Sequence, residues 1–193
     1  MPDAARPPIN PLPENMLKIL RERFQKTVPT KHAMVYAVPG FVMIVAASGN
    51  LRLRFDAEAF QCTLPMASDP ELLGGAVRDA LAASRAIPIA KLQAFLDAPG
   101  DFGYEACVKA LWRLVGGRPR AAVPENTARC DVHTENGGIV FLPMQKRHGS
   151  VWANHGEIEP VMVDARGELG LIGEALIDAL RRCIPNVIDD AQP

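Results

Sequence analysis

Two stretches of this chain carry one pattern, and any fold must accommodate both. Residues 72–81 read Leu72-Leu73-Gly74-Gly75-Ala76-Val77-Arg78-Asp79-Ala80-Leu81, and residues 171–180 read Leu171-Ile172-Gly173-Glu174-Ala175-Leu176-Ile177-Asp178-Ala179-Leu180. In each, a glycine follows two large aliphatic residues, and Ala, Asp, Ala and Leu recur at the same offsets. Leu73, Ala76, Val77, Ala80 and Leu81 fall at helical spacing and form one apolar stripe. The first stretch, Ser68 to Arg85, has a clean start: Ser68 can cap, Pro70 suits the first turn, and the acids Asp69 and Glu71 complement the positive helix end. A glycine inside a helix costs about 1 kcal/mol relative to alanine. Gly74 and Gly173 therefore predict close approach of another backbone, expected to be a sheet. An extended apolar run precedes each helix, so the pattern predicts a duplicated strand–helix unit with halves at 31–117 and 127–183.

Along the chain, residues 1–12 hold four prolines and read as a flexible lead. Residues 13–26 are expected to form a helix with Met16, Leu17, Leu20 and Phe24 on one face. Together, residues 1–30 make an N-terminal extension ahead of a single domain at 31–193. His32 to Val38 and Phe41 to Ala46 are expected strands, separated by the turn pair Pro39-Gly40. Leu51, Leu53 and Phe55 alternate with Arg52 and Arg54, the period-two pattern of a strand with one wet face. Phe60 to Met66 is the next strand. Ile89 to Leu96 and Tyr104 to Val115 are helices, the second ended by Gly116-Gly117. Arg118 to Asn126 is the connector between halves. Arg129 to Thr134 and Ile139 to Met144 form a hairpin across Glu135-Asn136-Gly137-Gly138. Val151 to Ala153 and Ile158 to Val163 are further strands, and the second repeat helix closes the domain at Cys183. The sum is an α+β fold: a largely antiparallel sheet with helices packed on it, in two related strand–helix halves.

Composition excludes several classes. The length of 193 residues allows a sizeable core, and the net charge of −1 is that of an ordinary globular chain. No apolar run approaches the length of a membrane span, and the start lacks the pattern of a signal peptide. Four cysteines without a CxxC spacing read as free thiols in a reducing cytoplasm. The near-neutral total hides a split. Residues 1–54 hold 8 Lys/Arg against 3 Asp/Glu, while residues 125–193 hold 6 against 11. An acidic back half does not suit nucleic-acid binding but can meet a basic protein.

Motifs for chemistry are absent from the sequence: no P-loop, GxGxxG, HExxH or GxSxG. Cys130 and His133 are three apart, which on one strand sends them to opposite faces and argues against a shared metal. No cofactor or metal is expected. Any cysteine could be placed beside a histidine as a nucleophile pair, but buried structural cysteine is the commoner fate. Glu157 and Glu159 flank Ile158 and share one strand face. Trp152, after a loop, suits a binding anchor better than a catalytic role. Aromatics are too few for a nucleic-acid stacking platform.

A further pattern lies in the order of the pieces. Ser68-Asp69-Pro70-Glu71-Leu72-Leu73-Gly74-Gly75-Ala76-Val77 and Ala80-Leu81-Ala82-Ala83-Ser84-Arg85 are followed by Gly103-Tyr104 and Lys109-Ala110-Leu111. Then come Cys130, Val132, Gly138-Ile139-Val140-Phe141-Leu142-Pro143 and Trp152, and finally Leu171-Ile172-Gly173-Glu174-Ala175-Leu176 and Ala179-Leu180-Arg181-Arg182-Cys183. Over roughly residues 35–183 this resembles the contact-dependent growth inhibition (CDI) immunity proteins of bacteria. The resemblance implies a non-enzymatic, cytoplasmic inhibitor; a monomer is one possible state of the free chain, and the sequence leaves the oligomeric state open. It would bind the C-terminal toxin domain of a cognate effector, a basic nuclease, with no direct role for nucleic acid or membrane. The first thirty residues and the stretch from Leu114 to Asn126 depart from the pattern. The shared motifs mark the scaffold, so the expected toxin-binding residues rest on charge and placement: Asp131, Glu135, Trp152, Glu157 and Glu159. Two other classes stay open on the residues alone: a small Cys/His-dependent hydrolase using Cys130 or Cys107, and a homo-oligomeric regulatory or scaffold module.

Overall fold

The computed structural model of the chain describes residues 30–50, 53–56, 58–97, 104–118, 123–146, 152–154 and 158–183. The expected N-terminal helix at 13–26, the middle of the connector, Glu157 and the C-terminal tail lie outside them. Among the described residues there are eight strands: β1 (His32–Val38), β2 (Phe41–Gly49), β3 (Leu53–Phe55), β4 (Gln61–Pro65), β5 (Ala128–Glu135), β6 (Gly138–Lys146), β7 (Trp152–Asn154) and β8 (Val161–Asp164). Four helices accompany them: α1 (Pro70–Ala83), α2 (Ile89–Asp97), α3 (Tyr104–Leu114) and α4 (Leu169–Arg182). The class is α+β, with one antiparallel sheet backed by helices.

The sheet grows outward from two hairpins. β1 and β2 turn at Gly40, whose φ of 83° favours glycine. β5 and β6 turn through Asn136 and Gly137, at φ 48° and 83°. Two successive positive-φ residues twist the hairpin in the sense its strands require, which is why Asn-Gly is so strong a signal. The hairpins join side by side through β1 and β5, in a register that sets His32 opposite His133 and Val35 opposite Cys130. The long strands β2 and β6 each carry two outer strands. β2 pairs with β4 from Phe41 to Val45 and with β3 from Ala47 to Gly49. β6 pairs with β8 from Gly138 to Phe141 and with β7 from Met144 to Lys146.

Strand alternation divides the core in two. Ala33, Val35 and Ala37 of β1, Cys130 and Val132 of β5, and Ile139 and Phe141 of β6 point to the face covered by α1 and α4. There they meet Leu73, Val77, Ala80, Ile172, Leu176 and Leu180. Tyr36, Val38, Met43, Val45 and Phe55 point the other way, onto Cys107, Val108 and Leu111 of α3. The two sheet faces are thus backed by different helices.

The glycines at the matched offsets serve a different contact from the one expected. A methyl group on Gly74 would collide with the carbonyl oxygen of Leu169, and one on Gly173 with the carbonyl oxygen of Pro70. Each glycine admits the first turn of the other helix. The backbone in close approach belongs to a helix, and the expectation of a sheet is corrected. The cap is also corrected by one position. Pro70 opens α1, so Asp69 stands at the cap, and its carboxylate accepts from the Glu71 amide at 2.8 Å. Ser68 lies one residue too early.

Polar groups secure the helix ends. The Ser84 hydroxyl donates to the Ala47 carbonyl at 2.8 Å and accepts from the His32 amide at 3.1 Å. The Arg85 guanidinium makes a two-pronged bond to the fully buried carboxylate of Asp56, with contacts of 2.7 to 2.9 Å. Arg54 donates to the last carbonyls of α2, on Phe95 and Leu96. At the end of α3, Gly116 adopts φ 67° and the Gly117 amide bonds back to Trp112, the usual left-handed stop.

Candidate interaction surface

The four expected binding residues that the structure describes, Asp131, Glu135, Trp152 and Glu159, do not converge. Asp131 lies mid-strand on β5, on the face opposite the α1–α4 layer. Arg129, two residues away and so on the same face, donates to both its carboxylate oxygens at 2.7 and 2.9 Å. The same guanidinium lies over the Tyr36 ring, 5.6 Å from its centroid. The charge of Asp131 is therefore largely met within its own strand. Glu135 ends β5 at the hairpin turn, where its carboxylate is 3.7 Å from His133 Nε2. It lines an open cleft of about 670 Å³ with Met162, Asp164 and Arg166.

Trp152 stands on β7 opposite Lys146, half-buried against the second core cluster. Its indole Nε1 is buried with no partner among the described residues. Glu135 faces Gly138 at one end of β6 and Trp152 faces Lys146 at the other. At roughly 3.4 Å per residue those ends are about 27 Å apart. Glu159 is exposed beside α4, and its carbonyl accepts from Arg182 at 3.1 Å.

The thiols are placed for packing. Cys107, Cys130 and Cys183 are buried. Burial pushes the Cys107 thiol up to about 12 and the Cys183 thiol up to about 11, and holds that of Cys130 well above the usual range. Thiols so placed are poor nucleophiles at neutral pH. Cys130 and His133 do point to opposite faces, as their spacing requires: Cys130 lies in the α1–α4 core, and the His133 ring sits 6.0 Å from that of His32 across the sheet. No group of three or more metal-ligating side chains occurs among the described residues.

The two histidines, Met34, Leu53, Asp131 and Leu142 line a hollow of about 300 Å³ on this second face. Burial, then the neighbouring His133, lower the pKa of His32 below its ordinary 6.5, with Asp131 pulling the other way. The fold thus favours neutral His32, and below pH 6.5 the unfolded chain takes up the proton first. Stability from this group is present above 6.5 and is lost as pH falls toward the depressed folded value. The urea midpoint of His32→Gln should accordingly fall less steeply below pH 6.5 than that of the parent; parallel curves would contradict this.

Another groove was not legible as a site. It lies between β4 and α1 and measures about 630 Å³. Phe60, Cys62, Leu64 and Ala76 form its floor, Leu72 and Leu169 its apolar margin, and Asp69, Glu71 and Asp79 its charged rim. Leu72 is 54% exposed, one of the exposed large hydrophobic residues of the described chain. In the sequence Phe60, Cys62 and Leu64 read as strand, Leu72, Ala76 and Asp79 as parts of the repeated helix, and Asp69 and Glu71 as helix-end charges.

Taken together, an antiparallel sheet clasped by helices, with grooves open on its outer faces, defines an α+β protein. Its family is CDI immunity: the chain belongs to the family described as CdiI, CDI immunity protein, which it matches over residues 31–183. Among solved structures it is similar to a protein of unknown function from Neisseria meningitidis, at 27% identity and a TM-score of 0.70, covering 80% of this chain and 95% of that one. It is also similar in fold to the structure described as a CdiA-CT/CdiI toxin and immunity complex from Yersinia pseudotuberculosis, at 20% identity and a TM-score of 0.65, covering 81% and 98%. The chain matches none of the curated proteins.

Proposed function

We propose that this protein binds the C-terminal toxin domain of a cognate CDI effector and neutralises it by binding alone. Membership of the immunity family over residues 31–183 carries this reading. The description of the Yersinia structure as a toxin and immunity complex supports a toxin domain as the partner. The raised thiol pKa values count against the cysteine hydrolase.

The toxin in this reading is a nuclease. A nuclease surface is basic because it must hold phosphate, and residues 125–193 carry 11 acidic against 6 basic residues. Complementary charge speeds capture, which matters for stopping a toxin before it turns over. The proposed place of action is the cytoplasm. No helix among the described residues is long and apolar enough to cross a membrane.

Purified chain and cognate toxin domain, mixed at micromolar concentration, should elute together as one complex from a sizing column. Separate elution would sink the reading. A stable homo-oligomer that ignores the toxin domain would favour the scaffold module instead.

A further inference from the structure

The helices α1 and α4 carry the same residues at matched offsets, but their outer faces are finished differently. On α4, Asp178 is held by Arg182 one turn on, with contacts of 2.6 and 3.3 Å. The same guanidinium donates to the Glu159 carbonyl, so it spans from α4 to the chain leading into β8. On α1, Asp79 stands at the offset of Asp178, but Ala83 stands at that of Arg182. Asp79 is exposed and has no cation in ion-pair reach among the described residues. A second difference follows the first. Gly75 occupies the offset of Glu174, and a side chain added at Gly75 would meet nothing closer than the Leu169 Cδ1 at 3.9 Å. The α1 side is therefore left open as the groove over Phe60, Cys62 and Leu64.

This groove joins an apolar floor to a rim of one sign. Its charged lining residues are Asp69, Glu71 and Asp79, with no lysine or arginine among the residues lining it. The nearest basic residue of α1 is engaged elsewhere, since Arg78 Nη2 donates to the carbonyl of Gly167 at 2.6 Å. A second copy of this chain offering the same face would bring carboxylate against carboxylate. A ligand that fits must bring apolar bulk for the floor and positive charge for the rim.

We propose that the β4–α1 groove is a contact surface for the protein partner, receiving an apolar side chain flanked by lysine or arginine. The proposal rests on the immunity reading, because it takes the toxin domain as that partner. Leu72 is the exposed wall that the incoming side chain covers, and Asp79 is the carboxylate that its flanking cation meets. Central apolar anchors and desolvated charge pairs dominate interface energies.

The test measures the affinity of the full-length chain for the cognate toxin domain, for the parent and for Leu72→Glu, Asp79→Lys and, as a control on a different cleft, Met162→Glu. All three positions are exposed, and urea midpoints check that each variant folds as the parent does. The expected result is at least ~30-fold weaker binding for Leu72→Glu and for Asp79→Lys, with Met162→Glu within about threefold of the parent. For the parent, binding should weaken as salt rises, and Asp79→Lys should reverse part of that dependence. Groove variants that fold and bind within threefold of the parent would overturn the groove as the contact surface and leave the immunity reading standing. A parent chain that forms no complex would overturn both.

Discussion

Gly173→Ala should lower the unfolding free energy by about 2 to 3 kcal/mol, a large effect for one methyl group. The added carbon would land on the Pro70 carbonyl oxygen, and the alanine at Gly74 would land on that of Leu169. Both obstacles are backbone, so no side-chain rotation can relieve them. The helices must separate, which loosens the contacts of Leu73, Ile172 and Leu176, each at most 1% exposed, with the sheet. Gly75→Ala supplies the control within the same helix. Its nearest new neighbour is the Leu169 Cδ1 at 3.9 Å, so it should gain up to about 1 kcal/mol from helix propensity. Urea unfolding distinguishes the two by the sign of the midpoint shift at constant slope. If Gly74→Ala and Gly173→Ala move the midpoint the same way as Gly75→Ala, the helix crossing is not held as described.

Phe141→Ala should cost about 3 to 5 kcal/mol. Phe141 is fully buried on β6, opposite Val132 on one side and Val161 on the other, in the cluster that joins the sheet to α1 and α4. The walls of that cluster are regular elements that cannot all move in, so the cavity persists and adds to the lost transfer energy. Met162→Ala on β8, where the side chain is 64% exposed, should stay within about 0.5 kcal/mol. Equilibrium unfolding measures both, and a loss under about 1 kcal/mol at Phe141 would mean that the sheet and helix layers are not packed through it.

Local chemistry made most of the scaffold legible. Pro39-Gly40 and Asn136-Gly137 mark both hairpins, because their backbone angles suit few other residues. The apolar run of His32–Val38, ended by Pro39-Gly40, gives a strand that the structure reproduces to the residue. What failed was identity of partner. Gly74 and Gly173 announce that a backbone comes close, but the sequence does not say whose; the facing helix lies 99 residues away in the chain. The cap moved from Ser68 to Asp69 because the proline fixes the first helical residue.

Site residues were harder for a physical reason. Charge and expected exposure selected Asp131, yet its i+2 spacing from Arg129 already placed a cation on the same strand face. Glu135 and Trp152 were chosen for loop or strand-end placement, but the extended run of β6 sets them at opposite ends. The groove had a sequence signal in Ala83: at matched offsets one helix keeps an Asp–Arg pair and the other keeps only the Asp.

Immunity itself is tested most directly in cells. A sensitive bacterium expressing the cognate toxin domain internally should stop growing, and co-expression of this protein should restore growth to the rate of toxin-free cells. Protection should be specific, absent when the toxin comes from an unrelated CDI system. Continued arrest in cells that contain soluble, folded protein at or above the toxin's level would contradict the account, and the family likeness would then stand for a fold alone.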